Sequence, residues 1–282
     1  MSSAQIDDII LRALAEDAPW GDVTSEAFLP TSARAAATLV PREPGILSGI
    51  DVFARVFELV DADVVIELAA VDGSRFEPGV VLARVEGSAH SVLRAERIAL
   101  NLTQRMSGIA TMTARFVDTV AGTSARIVDT RKTTPGLRIL ERQAVRDGGG
   151  HNHRYSLSDA VLAKDNHLAV LAAQGVDLGS AIASARERVG HTTHIEVEVD
   201  RIEQIEPVVS AGVDTIMLDN FTTDQLREGV ALVAGRALVE ASGGVTIDTV
   251  AAIAATGVDI ISVGALTHSV RSLDLGLDVV VS

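Results

Sequence analysis

Cysteine is absent from this 282-residue chain, which excludes a disulfide framework and thiolate chemistry and leaves histidine and carboxylates as the only ligands for a zinc site. Aromatic residues are 3% of the chain and the formal net charge is -14. Nucleic acids and anionic membranes demand clustered basic residues, and single strands demand rings to stack on, so neither is an expected partner. No apolar run approaches the length that crosses a bilayer, and the start "MSSAQIDDIILRALAED" carries acids where a secretion signal carries its positive region. A soluble, cytoplasmic protein is expected. Lysine is the scarcest charged residue: only Lys132 in "DTRKTTPG" and Lys164 in "VLAKDNH", among 24 basic residues.

What is present is a large apolar fraction, 47%, enough to bury a substantial core in one large domain or two smaller ones. Two textures divide the chain. Up to about residue 105 a first helix, "IDDIILRALAED", is followed by strand-like "AAATLV", "DVVIELAAV" and "VVLARVEG" around a helix "IDVFARVFELV", which reads as α+β. Two helical stretches, "SVLRAERIALNLTQRM" and "GIATMTARFVDTVAG", then lead into a repeating unit of short apolar strand, polar strand end and helix. Its strands are "ARIVDT", "AVLAKD", "HIEVEVD", "TIMLDN", "ALVEASGG" and "IISVGAL", the later ones spaced about 20 residues apart, as in a parallel βα array approaching a barrel.

In such barrels the chemistry collects at the C-terminal strand ends. That rule selects Asp129, Arg131, Lys132, Lys164, Glu198, Asp219 and Ser242. Alternation in "HIEVEVD" puts Glu196 and Glu198 on one face, and Glu198 with Asp219 forms a hard-oxygen pair of the kind that holds Mg2+ through phosphate and water. "EASGGVT" offers small residues and free N–H groups before the helix "IDTVAAIAATG", a phosphate-binding arrangement, and "SVGALTHS" supplies a second glycine-bearing strand end. Between Arg131 and Lys164 seven basic residues (Arg131, Lys132, Arg138, Arg142, Arg146, Arg154, Lys164) face three acids (Glu141, Asp147, Asp159), a surplus suited to an anion. Arg138, Arg142 and Arg146, spaced by four, read equally well as a solvated helix face. His151 and His153 lack a third ligand at metal-binding spacing, so His153 with Arg154 reads as an anion site, and His167 either acts in catalysis or fixes its loop.

The motifs "DTRKTTPGLR", "GGGHNHR", "AKDNH", "EVEVD", "LDN" and "SGG", in this order, closely resemble quinolinate phosphoribosyltransferase, from "EDAPWGDVTS" to "SVGALTHSVRSLDLGLD". Arg142 and Gln143 depart from the Lys and Tyr of many members. The resemblance implies an α/β fold: an N-terminal α/β sandwich, residues 1–106, whose partner in packing includes the tail 267–282, and an incomplete α/β barrel of the type II phosphoribosyltransferase kind, residues 107–266. It implies transfer of phosphoribosyl from phosphoribosyl pyrophosphate to quinolinate with decarboxylation, giving nicotinate mononucleotide, pyrophosphate and CO2 in NAD biosynthesis, with Mg2+, in a homodimer or larger homo-oligomer. By the same resemblance Arg131, His153, Arg154 and Lys164 bind quinolinate, with Arg97 reaching in from the neighbouring subunit, and Thr130 and Val263 belong to the substrate-binding set. Lys132, Glu198 and Asp219 handle phosphoribosyl pyrophosphate and its metal, and Ser242, Gly243, Gly244 and Gly264 cradle its phosphate. Catalysis would fall to Lys132, Lys164, Glu198 and Asp219. Arg97 reads otherwise as the solvated edge of an amphipathic helix. The alternatives are a relative of the same fold with another substrate, such as the molybdenum-associated ones, a non-catalytic anion sensor that keeps the pocket, and a Schiff-base aldolase using Lys164 or Lys132.

Overall fold

A computed structural model describes residues 3–280 and divides the chain into two compact units. The first holds the residues up to Ala114, Thr133–Gly149 and the chain from Leu266; the second holds Arg115–Lys132 and Gly150–Ala265.

The first unit begins with helices α1 (Ser3–Asp17) and α2 (Val23–Phe28), the latter capped by Asp22, whose carboxylate accepts the Thr24 and Ser25 amides. Strand β1 (Arg34–Pro41) follows, then β2 (Gly45–Ile46), α3 (Ile50–Val60), β3 (Val65–Leu68), β4 (Arg75–Phe76) and β5 (Ala83–Ser88). Ala35, Ala37 and Leu39 of β1 and Ala83 and Val85 of β5 are buried while Ala36, Thr38, Arg84 and Glu86 between them are more exposed, the two-residue period of a sheet with one covered face. Helix α3 buries Val52, Phe53, Val56 and Phe57 along one stripe, with the Phe53 and Phe57 rings 5.0 Å apart.

The stretches 91–106 and 108–122, expected as two helices, form one 31-residue helix, α4 (Ala89–Thr119). Gly108, within that helix, is a close-approach site: a Cβ there would run into the backbone carbonyl of Arg271. The residue 106/107 position marked as a domain boundary therefore falls inside α4.

The second unit is a six-stranded parallel sheet of β6 (Arg126–Val128), β7 (Val161–Ala163), β8 (Ile195–Val199), β9 (Thr215–Asp219), β10 (Leu238–Ser242) and β11 (Ile260–Ser262). Between β6 and β7 the chain makes α5 (Arg138–Asp147), which belongs to the first unit. Helices α6 (Asp165–Ala173) and α7 (Leu178–Arg188) precede β8, α8 (Ile205–Ser210) precedes β9, α9 (Thr223–Val233) precedes β10 and α10 (Val250–Ala254) precedes β11. The strand order is β6-β11-β10-β9-β8-β7. Strands adjacent in sequence, β6 and β7, thus occupy opposite edges, as they do when a barrel is interrupted between them. His151 partly covers the β6 edge by a parallel bridge to Val128. All five residues of β8 are buried, so both of its faces are covered.

After α11 (Ala265–His268) the chain ends in β12 (Leu275–Val280), which pairs antiparallel with β1 and completes the sheet order β12-β1-β5-β3 of the first unit. No single helix among the described residues is long and apolar enough to cross a membrane.

Candidate active site

Every βα unit of the second sheet delivers a polar group to the same end. A cavity of about 370 Å3 there is lined by Thr130, Arg131 and Lys132 after β6, His153 and Arg154 from the following loop, and Lys164 after β7. Glu198 of β8, Asp219 at the end of β9, Glu240 and Ser242 of β10 and Ser262 of β11 complete the polar lining. Six of the seven strand-end residues selected from the sequence line this cavity.

Asp129, the seventh, does not. It is fully buried, and its carboxylate accepts the His153 amide at 2.7 Å and the Asn152 side-chain amide at 2.6 Å. Asp129 therefore anchors the loop that carries His153 and Arg154, and the bridge between His151 and β6 holds the same loop through the backbone.

The cavity concentrates charge of both signs. Lys164 caps α6 and its ammonium pairs with the Glu198 carboxylate. Burial, then repulsion from the Arg131 guanidinium, pulls Arg154 below the usual guanidinium range. Arg154 is steadied by donating to the Ala160 carbonyl at 3.0 Å.

His153 meets two acids at once. Its Nε2 lies 3.1 Å from Glu196 and 3.5 Å from Glu240, both buried. Burial opposes charge on the ring, but hydrogen bonds and charge from the two carboxylates outweigh it and shift His153 upward from the usual imidazole range. The ring Nδ1 accepts the Arg154 amide at 2.8 Å and needs its lone pair to do so. That contact places the ring hydrogen on Nε2, facing the Glu196 and Glu240 carboxylates. Burial pushes Glu196 upward, and the charge of Glu240 adds to the shift against the opposing hydrogen bond from His153. Glu240 was not singled out from the sequence, although "VEAS" carries the same inward alternation as "VEVD".

At the end of β9, Asn220 adopts a left-handed backbone (φ 60°), donates its amide to the Ser242 carbonyl at 2.9 Å and its side chain to Asp219 at 2.6 Å. Gly243 and Gly244 follow with φ 92° and 58°. A Cβ on Gly243 would collide with Asn220, so the Ser242–Gly244 turn is a tight backbone cradle beside Asp219. The helix expected to follow it from Ile247 begins only at Val250, so the cradle does not lead directly into a helix start. Val263 is buried and donates to the Val128 carbonyl, and Gly264 follows it before α11.

The remaining candidates fall outside the cavity lining. His167 accepts the Lys164 amide on Nδ1 at 3.0 Å, a loop-fixing contact. Arg138, Arg142 and Arg146 lie on α5, where Arg138 donates to Thr133 at 3.0 Å. Arg97 is exposed on α4.

Residues 22–107 match the N-terminal domain, and residues 109–278 the C-terminal domain, of quinolinate phosphoribosyl transferase. The nicotinate-nucleotide pyrophosphorylase [carboxylating] of Mycobacterium leprae is 45% identical over 277 residues, covering 96% of each chain. The probable enzyme of that name from Bacillus subtilis is 41% identical over 282 residues, covering 100% of this chain and 96% of its own. NadC from Streptococcus pyogenes superposes with a TM-score of 0.94 at 40% identity, covering 100% of this chain and 99% of that one, and the nicotinate-nucleotide pyrophosphorylase of Francisella tularensis with 0.92 at 33%, covering 99% and 98%. Because both domain matches and both halves of the architecture agree along nearly the whole chain, this protein belongs to the quinolinate phosphoribosyltransferase family.

Proposed function

We propose that this chain transfers the phosphoribosyl group of phosphoribosyl pyrophosphate to the ring nitrogen of quinolinate and releases pyrophosphate and CO2, leaving nicotinate mononucleotide. One observation carries the reading: a single cavity gathers Arg131, Arg154, His153 and Lys164 with the Glu198 and Asp219 carboxylates and the Ser242 strand end. A dianionic pyridine and a polyanionic sugar phosphate must share one pocket, and an otherwise acidic protein has concentrated its cations there.

Arginine offers a planar fork that matches carboxylate, so Arg131 and Arg154 suit the two carboxylates of quinolinate, and binding relieves their mutual repulsion. Lysine is a compact point charge that follows a moving phosphate, which fits Lys132 for the departing pyrophosphate. The Ser242–Gly244 cradle suits the 5′-phosphate through backbone N–H groups. As pyrophosphate leaves, the ribose gains positive character that Glu198 and Asp219 are placed to stabilise from the cavity wall. Nitrogen attack then makes a pyridinium, whose positive charge lets the adjacent carboxylate depart as CO2 while its electrons remain on the ring carbon, which takes a proton.

Glu198 and Asp219 are hard oxygen donors on adjacent strands and both reach the cavity, a donor set that fits Mg2+ held through phosphate and water. When bound, Mg2+ supplies charge neutralisation on the pyrophosphate. Arg97 does not line the cavity of its own chain, so a role for it in binding quinolinate requires a second subunit, and we assign it that place in a homodimer or larger assembly. Lys164 is engaged by a carboxylate, not set in the apolar surroundings that activate a Schiff-base lysine, so the aldolase reading gains no support.

The test is product identification. Protein with quinolinate, phosphoribosyl pyrophosphate and Mg2+ should form nicotinate mononucleotide, and omission of either substrate should abolish it. Absence of product under conditions where a family enzyme is active would overturn the reading.

A further inference from the structure

The mechanism above leaves Glu196 and Glu240 without a task. They are 4% and 1% exposed, on β8 and β10, the two strands that flank β9. Each leaves its Oε1 without a hydrogen-bond partner, while each Oε2 turns to the same atom, Nε2 of His153. Burying two carboxylates in a sheet interior is costly, and an apolar side chain there would pack without that cost. What the pair gains is a grip on one imidazole.

That grip reaches further than the ring. Because Nδ1 of His153 accepts the Arg154 amide, the ring hydrogen belongs on Nε2, facing the acids. The His153 amide is meanwhile held by Asp129. The ring is thus fixed at Nε2 from below, at Nδ1 by the next residue, and at its own backbone by the β6 end. Moving Nε2 moves the Arg154 backbone with it.

We propose that Glu240, acting with Glu196, is a positioning residue for quinolinate: the pair fixes the tautomer and orientation of His153, and through Nδ1 the backbone of Arg154, so that the carboxylate-binding edge is formed before substrate enters. The proposal rests on the quinolinate reading of this pocket. Binding groups that are already ordered spare the substrate the cost of ordering them, so loss of the grip should weaken quinolinate and leave phosphoribosyl pyrophosphate, held by other strand ends, nearly untouched.

The test varies each substrate separately in Glu240→Ala and Glu240→Gln. Glu240→Ala should raise the quinolinate KM by about tenfold, the lower range for removing a group that orients a ligand-binding histidine, with the other KM changed by less than about twofold. Glu240→Gln keeps a carbonyl acceptor for Nε2–H and should recover part of the loss. Nitrogen NMR of wild-type protein labelled at histidine should give His153 as the Nε2–H tautomer with unprotonated Nδ1, a measurement that needs neither activity nor a folded variant. An unchanged quinolinate KM in both variants, or both KM values rising together with a fall in Tm, or a protonated Nδ1 in the wild type, would each overturn the proposal. If wild-type protein does not use quinolinate at all, the functional reading fails first, and the NMR result still decides whether the acids hold His153.

Discussion

Asp129→Ala tests how the quinolinate edge is built. Asp129 is fully buried, and its carboxylate accepts the His153 amide on one oxygen and the Asn152 side chain on the other, at 2.7 and 2.6 Å. Hydrogen bonds to a buried charged group contribute about 1.5–3 kcal/mol apiece, and truncation leaves both donors unsatisfied, so the summed loss should be about 3 kcal/mol or more. The bridge between His151 and β6 uses backbone atoms only and should survive, which confines the damage to residues 152–154. Urea denaturation should therefore report a stability loss of about 3 kcal/mol, and steady-state kinetics a rise of about tenfold in the quinolinate KM with a smaller change for phosphoribosyl pyrophosphate. Asp129→Asn should be milder, because Asn152 can flip its amide and present a carbonyl to the new NH2 group. A loss below about 1 kcal/mol in Asp129→Ala with an unchanged quinolinate KM would refute the claim that this carboxylate holds the loop.

Three further outcomes follow from the same geometry. Nicotinate, with one carboxylate, should be a far poorer substrate than quinolinate, since it leaves part of the Arg131/Arg154 charge unmatched; comparable kcat/KM values would rule out a dicarboxylate pocket. Lys132→Arg and Lys164→Arg keep charge but change shape and reach, and each should lower turnover by about tenfold or more in a steady-state assay; near-normal rates in both would make the scarcity of lysine irrelevant. Arg97→Ala and Lys164→Ala should each be nearly inactive, yet subunit exchange between them should restore up to about a quarter of wild-type activity, because roughly half of randomly paired dimers are mixed and each has one intact site. No recovery, with exchange confirmed by mass spectrometry, would remove Arg97 from the neighbouring pocket.

The cavity was largely legible because parallel βα units end each apolar strand on a polar residue, and "DTRK", "AKD", "EVEV" and "LDN" announce those ends. Legibility failed where the signal is not local. Asp129 has the same strand-end position as its neighbours, and only the path of the 151–154 loop makes it an anchor instead of a pocket residue. Glu240 was passed over because β10 was read only at its last residue. The continuity of α4 was missed, and the Arg271 backbone that Gly108 lets approach is far away in sequence. Strand β12 forms against β1 across more than two hundred residues, a pairing no short window contains. The start of α10 was placed too early because the Thr246 amide and hydroxyl engage Thr249 in a turn that precedes the helix.

The most direct test of the central claim follows the carboxylate next to the ring nitrogen. Quinolinate labelled with carbon-14 at that carboxylate, incubated with the protein, phosphoribosyl pyrophosphate and Mg2+, should release labelled CO2 in equal amount to the nicotinate mononucleotide formed, and neither should appear when phosphoribosyl pyrophosphate is omitted. Label retained in a mononucleotide product, or CO2 released without phosphoribosyl pyrophosphate, would contradict the account.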